Sequence, residues 1–224
     1  MINIIKTRPM CKDELIEKYK GQASATLHEA MGRRGALDPK IKPLDRKMRV
    51  AGRALTVQCH TGDNIMLIKA ISMARPGDVI VANMGNAVNS GPFGEVLCVE
   101  CIAKKIGGMV FSGAVRDSSE IIEHGLPVFS SGICISGTAK ATLGTLNHPI
   151  SIGGIIVNPG DIIVGDADGV VCVPLDEAEE TIRKAEARVE KEKDIMRRLR
   201  AGESSFDIYG YQKVFDALGC TEEK

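Results

Sequence analysis

GMVFSGAVRDSSEII, residues 108–122, decides how the chain is read. A short run, Gly108-Met109-Val110-Phe111, passes through Ser112 and Gly113 to opposite charges placed side by side at Arg116 and Asp117. An apolar run closed by a turn signal reads as a buried strand, and SSEII reads as the start of a helix. Charged residues between a strand and a helix stand where ligand sites collect in α/β sheets. Neighbours on an extended segment point opposite ways, so Arg116 and Asp117 need not pair. One can face a substrate oxygen while the other takes a metal ion. A surface ion pair of small energetic value fits the same residue types.

Working outward, RVAGRALTVQCH (49–60) and DVIVANM (78–84) read as strands, and GDNIMLIKAISMA (62–74) as a helix closed by Arg75-Pro76-Gly77. A loop, GNAVNSGPFG (85–94), leads into a second helical stretch, EVLCVECIAKKIG (95–107). Residues 12–31 look helical as well. From Pro127 the texture changes to strands, PVFSSGICIS and HPISIGGIIVNPGDIIVGDADGVVCVP, with turn signals at NPGD and DADG. GDADG lacks the remaining spaced oxygens and the closing Glu of an EF-hand, so it reads as a hairpin turn. The pattern predicts one α/β domain over residues 1–224 with mixed sheets, helices early, strands late and a long C-terminal helix over 176–201.

Composition narrows the function classes. With 29 Lys+Arg against 29 Asp+Glu the chain carries no formal net charge, so it lacks the electrostatic footprint of a nucleic-acid or acidic-membrane binder. The start, MINIIKTRPMCKDELIEKYK, is broken by Lys6, Arg8 and Pro9 and reads as neither signal peptide nor anchor. No run approaches the roughly 18 apolar residues of a membrane helix, and the expectation is a cytoplasmic protein. Seven cysteines, an odd number and scattered, do not form a disulfide framework. Cys98 and Cys101 make a CxxC, but no second ligand pair at zinc spacing exists. Their helical, apolar setting favours the core over a metal or redox site.

Two further features carry chemistry. The GPFGEVL stretch ends where a helix begins, so free backbone N–H groups with the helix dipole behind them could seat a carboxylate or phosphate, and Gly94 would let the backbone approach closely. An ordinary turn explains the same glycines. In the last helix, the apolar stripe Ala178, Ile182, Ala185, Val189, Met196 and Leu199 is interrupted at Glu192. Glu192 is then either a carboxylate on a buried face that needs a partner or a purpose, or a solvated residue where the stripe narrows.

The strings TLHEAMGRRGALDP, GDNIMLIKAI, PGDVIVAN, GPFGEVL, GAVRD and GDADGVVCVP together resemble the RraA-like family over about Ala25 to Gly210. HEAMG is closest to its class II pyruvate aldolases, which cleave 4-hydroxy-4-methyl-2-oxoglutarate and 4-carboxy-4-hydroxy-2-oxoadipate. The resemblance implies a β/β/α sandwich of the phosphohistidine (swivelling) domain type, assembled as a homotrimer or homohexamer with sites between subunits and the C-terminal helix at the interface. It implies that Gly94, Glu95, Val96 and Leu97 seat the carboxylate of a 2-oxo acid, that Arg116 binds the keto or enolate oxygen, and that Asp117 ligates Mg²⁺ or Mn²⁺. Glu95 would help hold water on that cation. Glu192 falls where the aldolases place an acid that reaches a neighbour's site, and the ribonuclease-regulating members lack it.

The expected function is therefore metal-dependent aldol cleavage to pyruvate and a second keto acid, with oxaloacetate decarboxylation as a side activity through the same enolate. The rival is a non-catalytic trimeric regulator of an RNA-processing enzyme. A methyltransferase has little support, because no strand–GxGxxG–helix signature is present. No lysine is needed for a Schiff base. His28, His60, His124 and His148 read as structural or solvent-facing, with His28 held open because it lies in HEAMG.

Overall fold

The computed structural model describes residues 2–221. In chain order the elements are α1 (Asp13–Tyr19), α2 (Ser24–Ala30), β1 (Lys42–Pro43), β2 (Val50–Gln58), α3 (Ile65–Met73), β3 (Val79–Asn83), α4 (Glu95–Ala103), β4 (Gly108–Phe111) and β5 (Ala114–Val115). They continue with α5 (Ser118–His124), β6 (Val128–Ser130), β7 (Gly132–Ile133), β8 (Thr145–Leu146), β9 (Ile150–Ile152), β10 (Ile155–Val157), β11 (Ile162–Asp166) and β12 (Gly169–Val173). The long α6 (Ala178–Arg200) and two short helices, α7 (Ser205–Tyr209) and α8 (Gln212–Ala217), complete the described chain.

The eight-stranded main sheet runs β1-β6-β4-β3-β2-β11-β12, with β8 also paired to β2. Strands β2, β3, β4 and β6 are parallel neighbours, whereas β11 and β12 add antiparallel edges. The two far edges approach each other, since Lys42 Nζ bonds the Asp168 carbonyl and Ala36 bridges Val171. The mixed α/β architecture and the long helix α6 match the sequence reading. Helices and strands alternate from β2 to β6, as the stretches from 49 to 122 read in sequence, because parallel strands need crossovers and helices supply them.

The central strands are buried on both faces, which explains their unbroken Val/Ile character. Ile80 and Ala82 face a core made with α3, α4 and α5, while Val79 and Val81 face a second core with Phe129, Ile150, Ile152 and Val157. That alternation is the period of two expected for strands. A third cluster packs α1, α2 and α6 over Ile162, Val164, Val171 and Val173.

The single helix expected over 12–31 is two. Gly21 takes φ +85°, a left-handed conformation that an α-helix interior cannot contain, and the chain breaks there. The GDADG turn is structural. Burial alone would raise the Asp166 carboxyl, but the Ser24 N–H and hydroxyl and the Asp168 N–H donate to it and hold it below the usual carboxylate range. A carboxyl depressed on folding contributes stability that is present above its unfolded pKa, about 3.9, and is lost as pH falls through the lower folded value. Ser24→Ala should lose about 1 kcal/mol at pH 7, and the loss should shrink at pH 3. Denaturant titrations at both pH values check this, and an equal loss at both would show that the carboxylate charge is not involved.

Candidate active site

Strand β4 delivers the chain to the C-terminal end of the parallel sheet. There the buried Ser112 hydroxyl donates to Asn83 Oδ1 at 2.9 Å and accepts the Met84 N–H at 2.8 Å, which ties the turn after β4 to the turn after β3. The Arg116 N–H then bonds the Phe93 carbonyl at 2.9 Å. Asp117 follows with φ 52° and ψ 45°, a left-handed conformation for a residue with a side chain. Such strain persists only where surrounding contacts hold it.

Asp117 occupies the N-cap position of α5, where an aspartate commonly accepts an N–H of its own helix. Its carboxylate does not do so. Oδ2 instead accepts the N–H of Glu95, the first residue of α4, at 3.0 Å and lies 3.6 Å from Arg116 Nε. This corrects the reading of 116–117 as extended and pointing apart. The left-handed turn at Asp117 brings both side chains to the same loop.

That loop, Gly91-Pro92-Phe93-Gly94, is anchored throughout. The Gly91 N–H bonds Ser136 O at 2.8 Å, and Asn64 Nδ2 donates to the Pro92 carbonyl at 2.8 Å. Phe93 is fully buried against Phe111, with ring centroids 5.3 Å apart. A Cβ at Gly94 would sit 2.3 Å from Asp117 Oδ2 and 3.0 Å from Arg116 Cγ and Nε. The glycine is thus the space that the Arg-Asp pair occupies.

The backbone seat differs from expectation in one respect. The Glu95 N–H already serves Asp117, so the donors left at the α4 N-terminus are Val96 and Leu97, whose N–H groups have no acceptor among the described residues. Arg116 and Asp117 side chains remain 44% and 40% exposed, so the site is open to a ligand. Cys98 and Cys101 lie beneath it, fully buried, and burial pushes their thiols up to about 11 and about 12. They are core residues.

Sequence reasoning missed His124. Its Nε2 is 3.1 Å from Glu95 Oε1. Helix α5 places Asp117 before its first turn and His124 at its last residue, and both reach Glu95. Glu95 and His124 are 29 residues apart in sequence, which gave no signal of this contact. His28 lies elsewhere, its Nδ1 2.9 Å from Arg34 O.

Glu192 is not brought to this cluster within the chain. It is half-buried on α6 and pairs with Arg188 Nε at 2.8 Å, and Arg188 also faces Glu29 at 3.8 Å. The buried face of α6 consists of Ala178, Thr181, Ile182, Ala185 and Ile195, whereas Met196 and Leu199 of the expected stripe are exposed. Along its second half α6 has little of the body left to cover.

The donor set can be tested against the implied cation. No group of three or more His, Cys, Asp or Glu converges among the described residues, so an all-protein cage does not fit. Mg²⁺ keeps several waters and takes one or two carboxylates plus oxygens of the substrate. Asp117 fits that demand, because Oδ2 is held by Glu95 N–H and Oδ1 has no partner among the described residues.

Every residue of this cluster lies within residues 24–172, the span matched by the family model described as Aldolase/RraA. The chain belongs to the Aldolase/RraA family. A relative from Halalkalibacterium halodurans, provisionally named 4-hydroxy-4-methyl-2-oxoglutarate aldolase, is 35% identical over 78% of this chain and 83% of its own. Among solved structures, an uncharacterized protein of Pseudomonas syringae superposes with TM-score 0.78 at 26% identity, covering 88% of this chain and 97% of that one. A Streptomyces coelicolor protein, described as an unusual member of the RNase ES inhibitor RraA family, gives TM-score 0.77 at 26% identity over 85% and 99% of the two chains. Glu192 lies outside the matched span.

Proposed function

We propose that the chain is a divalent-metal-dependent class II aldolase that cleaves a 4-hydroxy-2-oxo di- or tricarboxylic acid to pyruvate and a second keto acid. The observation that carries this is the Asp117 carboxylate, turned by a strained backbone away from its own helix and fixed beside Arg116 at the α4 N-terminus. Aldolase-named relatives support the reading.

The C1 carboxylate of the substrate takes the free N–H groups of Val96 and Leu97, with the positive end of α4 behind them. Arg116 faces the C2 oxygen. Breaking the C3–C4 bond sends its electron pair into C2–O as an enolate, and a fixed guanidinium stabilises charge where it develops. Asp117 would hold Mg²⁺ or Mn²⁺, which when bound supplies further Lewis acidity at that oxygen. The Glu95 carboxylate orients the water that receives the C4 hydroxyl proton. That water then returns the proton to C3 of the enolate, which yields pyruvate. Oxaloacetate loses CO₂ through the same enolate, so its decarboxylation is the expected side activity.

The outer face of α4 beside this site leaves Val96, Val99 and Ile102 exposed, Val96 by 81%. A second copy of the chain covering that face, in a trimer or hexamer, would bring its own α6 and Glu192 to the opening. Glu192→Ala should then lower kcat by about tenfold without changing Tm by more than a degree or two; unchanged kinetics would remove Glu192 from the site.

Pyruvate release from 4-carboxy-4-hydroxy-2-oxoadipate, followed by coupling to lactate dehydrogenase after EDTA treatment and after Mg²⁺ or Mn²⁺ is restored, tests the reading. Metal-restored release supports it. No release from this substrate or from oxaloacetate rejects it in favour of a regulator of an RNA-processing enzyme, the role described for solved relatives.

A further inference from the structure

Beside the groups at the α4 N-terminus that the proposed reaction uses directly, the structure places the ionisable side chain of His124 in contact with Glu95. His124 ends α5 with Nε2 3.1 Å from Glu95 Oε1, and the partner atom Oε2 of Glu95 has no bond among the described residues. Both side chains are partly exposed, 37% for His124 and 48% for Glu95. A glutamate at the first position of a helix, half in water and unpaired, samples several rotamers. Its carboxylate would point at the site only part of the time.

Here the same short helix restrains Glu95 at two atoms. The Asp117 carboxylate takes its main-chain N–H, and the His124 ring takes one of its carboxylate oxygens. With the backbone and Oε1 both fixed, Oε2 is left with a defined direction. The ring can donate from Nε2 as the neutral Nε2–H tautomer or as the imidazolium, and the contact holds in either of these two forms.

We infer that His124 is a positioning residue for Glu95. It fixes the carboxylate so that Oε2 orients the water that receives the substrate's hydroxyl proton. The inference rests on the aldolase reading above and adds to it a residue that never touches substrate.

Three observations on the full-length protein test it. His124→Ala should lower kcat for aldol cleavage by roughly tenfold, the usual size of an outer-shell loss, with KM changed by less than about twofold because the carboxylate seat is untouched. His124→Gln, whose amide can place an N–H near the position of Nε2, should recover most of that loss. In a Glu95→Ala background His124→Ala should have no further effect, which separates action through Glu95 from a general structural role. Tm should be unchanged throughout.

A readout independent of turnover is the ring itself. The chain has only four histidines, so the ¹⁵N signals of His124 can be assigned, and they should report an Nε2–H tautomer that changes on Glu95→Ala. Full kcat in His124→Ala, or a His124 ring indifferent to Glu95→Ala, overturns the inference while leaving the aldolase reading in place. A wild-type protein that releases no pyruvate overturns both.

Discussion

Arg116→Ala is expected to lower kcat/KM for pyruvate release by about a thousandfold, with the fold intact. The size follows from what the side chain does and does not touch. Its stem lies along two glycines, for a Cβ at Gly91 would come within 2.8 Å of Arg116 Cβ, and one at Gly94 within 3.0 Å of Cγ. Its head makes only the 3.6 Å approach to Asp117, so the terminal nitrogens are uncommitted among the described residues. An exposed pair of that kind contributes about 0–1 kcal/mol to stability. The side chain is thus held in place by packing and left free to act by charge. Arg116→Lys should restore part of the rate, because the positive charge returns without the planar fork. Initial rates with restored Mg²⁺, together with thermal unfolding, separate these effects. Turnover near the wild-type rate in Arg116→Ala would remove the guanidinium from the mechanism and return it to the status of a surface charge.

The parts of the fold that could be read from sequence are those whose signal is local. Val50–Gln58, Val79–Asn83 and Gly108–Phe111 are dense in β-branched and apolar residues because they are buried on both faces. NPGD and DADG marked the ends of β10 and β11 because Gly160 and Gly169 adopt positive φ there. The strand order was beyond reach, since β2 is flanked by β3 and by β11, about a hundred residues further on.

The site divides in the same way. Arg116, Asp117 and the Gly94 loop could be named because each stands at a boundary between elements. Their mutual geometry could not, because it depends on the left-handed backbone at Asp117, which no spacing encodes. The exposure of Met196 and Leu199 depends on where α6 outruns the two helices, α1 and α2, and the hairpin it packs with, and helical periodicity carries no information about that. The contact of His124 with Glu95 is of the same tertiary kind, set by the packing of α5 on α4.

Gly94→Ala should abolish most activity while leaving stability nearly unchanged, and that combination discriminates between the two readings of the GPFG loop. The backbone of Gly94 has φ −144° and ψ −169°, extended values open to alanine, so the substitution carries no conformational penalty of its own. What the methyl group meets is the Asp117 carboxylate, 2.3 Å away, followed by Arg116 Cγ and Nε. All three are side-chain atoms. The clash is therefore relieved by swinging Asp117 and Arg116 outward, which breaks the bond to the Glu95 N–H and moves the proposed cation ligand by an ångström or more. A displacement of that order can lower kcat/KM by about a hundredfold, and Mg²⁺ should bind more weakly. Gly91→Ala provides the contrast. Its methyl would meet the Cys134 carbonyl oxygen at 2.3 Å, a backbone atom that no rotamer change can move aside. That variant should lower Tm as well as activity. If Gly94→Ala instead retains full activity and metal affinity, Asp117 need not lie over Gly94, and the glycine belongs to an ordinary turn.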